Sequence, residues 1–184
     1  MKKKSFVNSP AFRIAFCAVI AALEVVLMMA AGLFRIGTYA LPCFAGLLGI
    51  AIIIEYKCKW ALAVYFVTAL LSFFLSGDKE AVVMFIAFFG YYPILKNLLE
   101  RYVHNRVVLW IIKLLVFNAA AVGSFFAAAN LLAVPANEFV LFGVYVPYVF
   151  LLLGNVFFVI YDISIQVFVR FYVQRLRAQL FGKQ

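Results

Sequence analysis

Residues 14–34 read IAFCAVIAALEVVLMMAAGLF, 21 consecutive positions in which Glu24 is the one charge. A helix needs about 20 mostly apolar residues to cross a bilayer, because away from water every backbone N–H and C=O must be satisfied within the helix. This run meets that length. It also exceeds the ~7–15 apolar residues of a secretory signal. Behind the basic leader MKKKSFVNSPAFR it therefore reads as a retained first span.

The rest of the chain repeats the pattern. Of its 184 residues, 68% are apolar and 12% are charged, against roughly 45–50% and 25% in a soluble domain. That leaves too little polar surface to wrap a water-soluble globule. The net charge of +9 would suit nucleic acid if the cations shared a polar face. They sit instead in short runs between long uncharged stretches, so their role is topological and the bilayer, with no nucleic acid, is the expected partner. Cys17, Cys43 and Cys58 are odd in number and lack CxxC spacing, which predicts free thiols packed as small apolar groups.

Six segments have the required character: 14–34, 36–54, 60–77, 81–99, 107–133 and 139–161. Their continuous apolar runs argue against the alternating strands of a barrel. The expectation is an all-α integral membrane protein, a single domain built as a six-helix bundle. The fourth segment has a charge-free core of only 81–95, so it crosses by letting Lys96 snorkel to the interface, and Tyr91–Tyr92–Pro93 is expected to bend it. Six spans put both termini on one side. Of the 16 basic residues, all but Arg35 and Lys79 fall on the side of the termini, the 55–59 turn and the 96–106 connection, Lys113 within the fifth segment near that end. The positive-inside rule assigns that side to the cytoplasm of a plasma-membrane protein. Residues 162–184 carry Arg170, Arg175 and Arg177 among Phe168, Phe171 and Tyr172. They extend the last helix as a basic amphipathic stretch in the headgroups or as a solvated tail.

No catalytic constellation is visible. His104 is the lone histidine, and GxSxG, HExxH and Walker-type glycine loops do not occur. The expectation is a protein that is not an enzyme and has no cofactor or metal centre. Glu24 and Asp162 are the sharper signal, since a charge at the bilayer centre costs ~2.5–3.5 kcal/mol or more unless it faces protein or water. On a helical wheel Ala11, Ala15, Ala18 and Ala22 fall within about 60° of one another, and Glu24 lies roughly 150° from their centre. One face of the first helix thus permits close approach of another helix, and the other points into the bundle.

In the sixth span Tyr148, Asn155 and Asp162 are spaced by seven, with Tyr145 a turn earlier, which makes an inward polar stripe. Asp162 serves either as a structural partner of Lys113 or in a proton relay. Asn118 and Asn130 point in different directions along the fifth span. The outer-half groups Arg35, Tyr39, Asp78, Lys79, Glu80, Asn130, Glu138, Tyr145 and Tyr148 converge as a candidate pocket. Charges of both signs there suit a small polar solute, zwitterionic or anionic.

Six spans in a chain this short, both ends cytoplasmic, and the ladder Ala11, Ala15, Ala18, Ala22 resemble the substrate-binding S components of energy-coupling factor transporters. The stretch from LPCFAGLLG to SGDKEAVVMFIAFFGYYPILK also looks like that family. The resemblance implies that the alanine face docks to a transmembrane coupling subunit that works with ATPase subunits. It implies that Arg35 and Tyr39 lie in a gating loop, and that Asp78–Glu80 and Tyr145–Tyr148 line the site of a vitamin-like solute. It further implies that the loaded protein topples in the membrane to release its cargo. Trp60 and Trp110 map to the cytoplasmic ends, so no tryptophan cage awaits a flat thiamine-like ring. Two other readings stand beside this one: a membrane scaffold resembling the rod-shape MreD family, and a secondary carrier driven through Glu24 and Asp162.

Overall fold

The computed structural model describes residues 9–33, 37–132, 140–141, 144–177 and 179, with 127–132, 140–141, 144–148 and 150 described by their backbone alone. These residues are helical apart from short connections and a ladder pairing β1 (Val140–Leu141) with β2 (Val144–Tyr145).

Helix α1 runs Pro10–Ala31, four residues earlier than hydropathy alone suggests. The cause is local: Ser9 accepts from the Phe12 N–H at 3.2 Å and Pro10 occupies the first turn, a combination that starts helices. Arg13 is thereby drawn into the helix. Its guanidinium lies 5.3 Å and 5.4 Å from the Tyr56 and Trp60 ring centres. The helix stops at Gly32, where an added Cβ would stand 3.1 Å from the backbone of Gly77 and Asp78. A side chain there would press the two segments apart by a few tenths of an ångström.

Helix α2 spans Gly37–Leu75, 39 residues, and is broken at Lys57, whose φ of 70° and ψ of 169° are not helical. Such backbone angles are essentially reserved for glycine and cost roughly 1–3 kcal/mol elsewhere. The break folds the element back on itself. A straight helix of that length would reach about 58 Å at 1.5 Å per residue, yet Thr38 donates to Asp78 Oδ2 at 2.7 Å. The arms 37–56 and 58–75 are therefore antiparallel, with the turn in the basic segment where the sequence placed a connection.

Asp78 caps α3 (Lys79–Met84) by accepting from the Ala81 N–H at 3.0 Å. A π-helical turn, Phe85–Phe89, follows, and α4 (Tyr92–Tyr102) completes the segment. The irregularity expected at Tyr91–Tyr92–Pro93 lies upstream of the proline. Pro93 lacks an N–H and its ring opposes the carbonyl four residues back, that of Phe89. The freed Phe89 carbonyl accepts from the Tyr161 hydroxyl at 3.2 Å. It also approaches Gly46 so closely that a Cβ there would fall 2.2 Å away.

Helix α5 is Arg106–Leu132 and α6 is Val146–Phe171, the latter passing into a second π-turn, Tyr172–Leu176. The sixth span was expected at 139–161. Pro147 in the first turn of α6 accounts for the later start. Beyond it, buried Tyr172 and the 3.0 Å pairing of Arg177 with Glu55 fasten the helix end to the α2 break.

Among the described residues, five helical segments are long and apolar enough to cross a membrane: Pro10–Ala31, Gly37–Leu75, Lys79–Tyr102, Arg106–Phe126 and Leu151–Leu176. Large apolar side chains such as Leu70, Phe74, Leu115 and Leu152 face outward, as lipid contact requires and water does not favour. The centre is aromatic. Phe88 meets Phe117 of α5 with ring centres 5.1 Å apart, and Tyr92 meets Phe158 of α6 at 5.3 Å, joining the α3–α4 segment to α5 and α6.

Candidate functional site

Helix α1 separates its two faces as the wheel anticipates. Ala11, Ala15, Ala18 and Ala22 are exposed, whereas Glu24 is 3% exposed. The carboxylate points at the second arm of α2, where Thr68 donates to Oε2 at 2.6 Å. Oε1 lies beside Gly49 and a cavity of about 10 Å³ lined also by Gly46, Tyr65 and Gly90. That is roughly the space one water needs.

The end of the bundle near the α2–α3 connection gathers part of the expected pocket. Tyr39 donates to Glu80, and Thr38 to Asp78. Ser76 donates to the Met28 carbonyl at 2.8 Å and ties this corner to α1. Lys79 folds back onto the carbonyls of Phe73 and Ser76, at 2.7 and 3.2 Å, where a cation complements the carbonyl end of a helix. Asp78 has both oxygens engaged, one by the helix cap and one by Thr38. Tyr39 and Glu80 are exposed. Arg35, Glu138 and the side chains of Asn130, Tyr145 and Tyr148 lie outside the described residues, so their convergence on this corner is not described.

The opposite end holds a denser cluster. Asp162 is fully buried. Its Oδ1 accepts from Tyr92 at 2.6 Å and pairs with Lys96 at 2.8 Å and Lys113 at 3.1 Å. Glu100 joins from the rim, 2.8 Å from Lys113 and 3.7 Å from Lys96. Two cations thus meet two carboxylates, and one carboxylate is half in water. Between α5 and α6, Asn118 and Asn155 exchange reciprocal amide hydrogen bonds at 2.9 and 3.0 Å. On α6, Asn155 and Asp162 of the expected inward stripe both face α5.

The Lys113–Asp162 pair matches the first of the two roles the sequence allows Asp162. Lys96 differs from its reading: it was expected to snorkel, yet it is 3% exposed and also donates to the Asp162 carbonyl at 2.7 Å. A buried acid holds its ammonium more strongly than the interface does. The overlooked signal is the 92/96/100 spacing of Tyr, Lys and Glu on one helix face. Beside this cluster lies a larger cavity of about 290 Å³ between α2, α4 and α6. Among the described residues, no three His, Cys, Asp or Glu side chains converge as a metal site. Compared with protein-family models, with curated proteins and with solved structures, the chain matches none.

Proposed function

We propose that this protein is the membrane-embedded capture subunit of an ATP-driven importer, resembling the S components of energy-coupling factor transporters. In this reading the chain crosses the membrane six times, the two arms of α2 counting separately, with both termini and the Lys57 break in the cytoplasm. A small vitamin-like solute binds at the Tyr39–Glu80 end, and a coupling subunit driven by ATPases docks on α1. The observation that carries it is the division of α1. Four alanines in register stay exposed while the carboxylate two residues beyond the last of them is buried, so the helix offers a smooth face to a partner.

The test is affinity purification from native membranes, comparing the wild type with the double variant Ala15→Leu, Ala18→Leu. The wild type is expected to bring down a transmembrane partner with ATPases. The variant should lose both, with folding stability changed by no more than ~0.5 kcal/mol, as for surface substitutions. A variant that keeps the partners, or a wild type that has none, removes this reading.

A carboxylate-dependent carrier is the second reading. It is favoured by the burial of Glu24 beside a water-sized cavity, and it predicts that Glu24→Gln stops transport. An ATP-coupled subunit tolerates that change.

A further inference from the structure

The 290 Å³ cavity approaches the lower edge of ligand-holding cavities, roughly 300–1,000 Å³. It lies at the end of the bundle away from Tyr39 and Glu80. Its lining has two chemistries. Ile53 and Ile54 from the first arm of α2, with Ile165 and Val169 of α6, form an aliphatic wall. Asn97 on α4 and Arg170 on α6 supply polar groups beside it, and both are exposed.

The charges on this lining differ in their freedom. Lys96 is saturated by Asp162, and Glu100 is held by Lys113 and Lys96. Arg170 makes no ion pair among the described residues. A planar guanidinium grips phosphate through two parallel hydrogen bonds. A free inorganic anion would satisfy it but has no use for the aliphatic wall. A neutral hydrocarbon would use the wall and ignore the cation. An amphiphile with an anionic head answers both. Arg170 also belongs to the basic end of the chain, with Arg175 and Arg177 following, where lipid headgroups of negative charge are attracted.

We propose that this chamber binds one anionic phospholipid, with its phosphate on Arg170 and its first acyl carbons against Ile54, Ile165 and Val169. The site is independent of the solute-capture reading and requires only that the helices lie in a bilayer.

The test titrates the full chain, purified in neutral detergent, with phosphatidylglycerol or phosphatidylcholine and reads adducts by native mass spectrometry. A one-to-one phosphatidylglycerol adduct is expected at about fivefold lower lipid concentration than the phosphatidylcholine adduct, the weight of one arginine near an anionic headgroup. Arg170→Gln should equalise the two lipids. Val169→Trp, which fills the chamber, should weaken both. Arg101→Gln, a cation on α4 outside the lining, should leave the preference intact. Equal binding of both lipids to the wild type, a preference that survives Arg170→Gln, adducts indifferent to Val169→Trp, or displacement of phosphatidylglycerol by equimolar inorganic phosphate would each overturn the proposal.

Discussion

The two charged corners of this bundle sit at opposite ends of the Lys79–Tyr102 segment, and they use their polar atoms in opposite ways. At the far end Asp162 is enclosed by Tyr92, Lys96 and Lys113 from two other helices. At the near end Tyr39 donates to Glu80, and both residues are exposed. A charge removed from water must be paired at all times, so the Asp162 cluster works as a clamp on α4, α5 and α6. A charge left at the surface loses little when its partner changes. The contrast teaches where the molecule can bind without coming apart.

The largest effect should come from breaking the clamp. Asp162→Asn leaves two buried ammonium groups with Glu100 as their remaining carboxylate. It should cost about 3–5 kcal/mol, the toll of orphaning one side of a buried pair, seen as a lower midpoint in detergent thermal denaturation. An unchanged midpoint would show that the cluster is not structural. Smaller is the loss from Thr68→Val, which deprives Glu24 of its donor while keeping shape. About 1–3 kcal/mol is expected from an unsatisfied buried group, with Glu24→Gln nearer to neutral because an amide oxygen still accepts from Thr68. If both variants behave alike, the hydrogen bond contributes nothing. The smallest effect on stability belongs to Tyr39→Phe with Glu80→Gln, within ~1 kcal/mol by the same measurement.

Much of this contrast was readable before any coordinates. Hydropathy located most of the long apolar helices, because the lipid requirement acts on each segment separately, but it set the last of them at 139–161 where the structure has Leu151–Leu176. Helical periodicity placed Glu24 inward and the alanines outward, since a wheel depends only on the helix's own geometry. What eluded it involves neighbours. Lys96 was assigned to the interface because depth along a helix says nothing of which acid waits on the next one. The Phe89 carbonyl released by Pro93, and the Tyr161 hydroxyl that takes it, meet across more than seventy positions of sequence. The break at Lys57 was read as a connection from its basic residues, but its positive φ on a lysine has no sequence signature.

The capture reading stands or falls on whether a solute sits at the Tyr39–Glu80 corner. Native mass spectrometry of the detergent-purified protein, scanning for a bound molecule lighter than a phospholipid, asks this directly. The account predicts such an adduct on the wild type and its loss in the Tyr39→Phe, Glu80→Gln double variant, with the fold intact. A wild type with no small adduct, or an adduct equally abundant on the double variant, would contradict it.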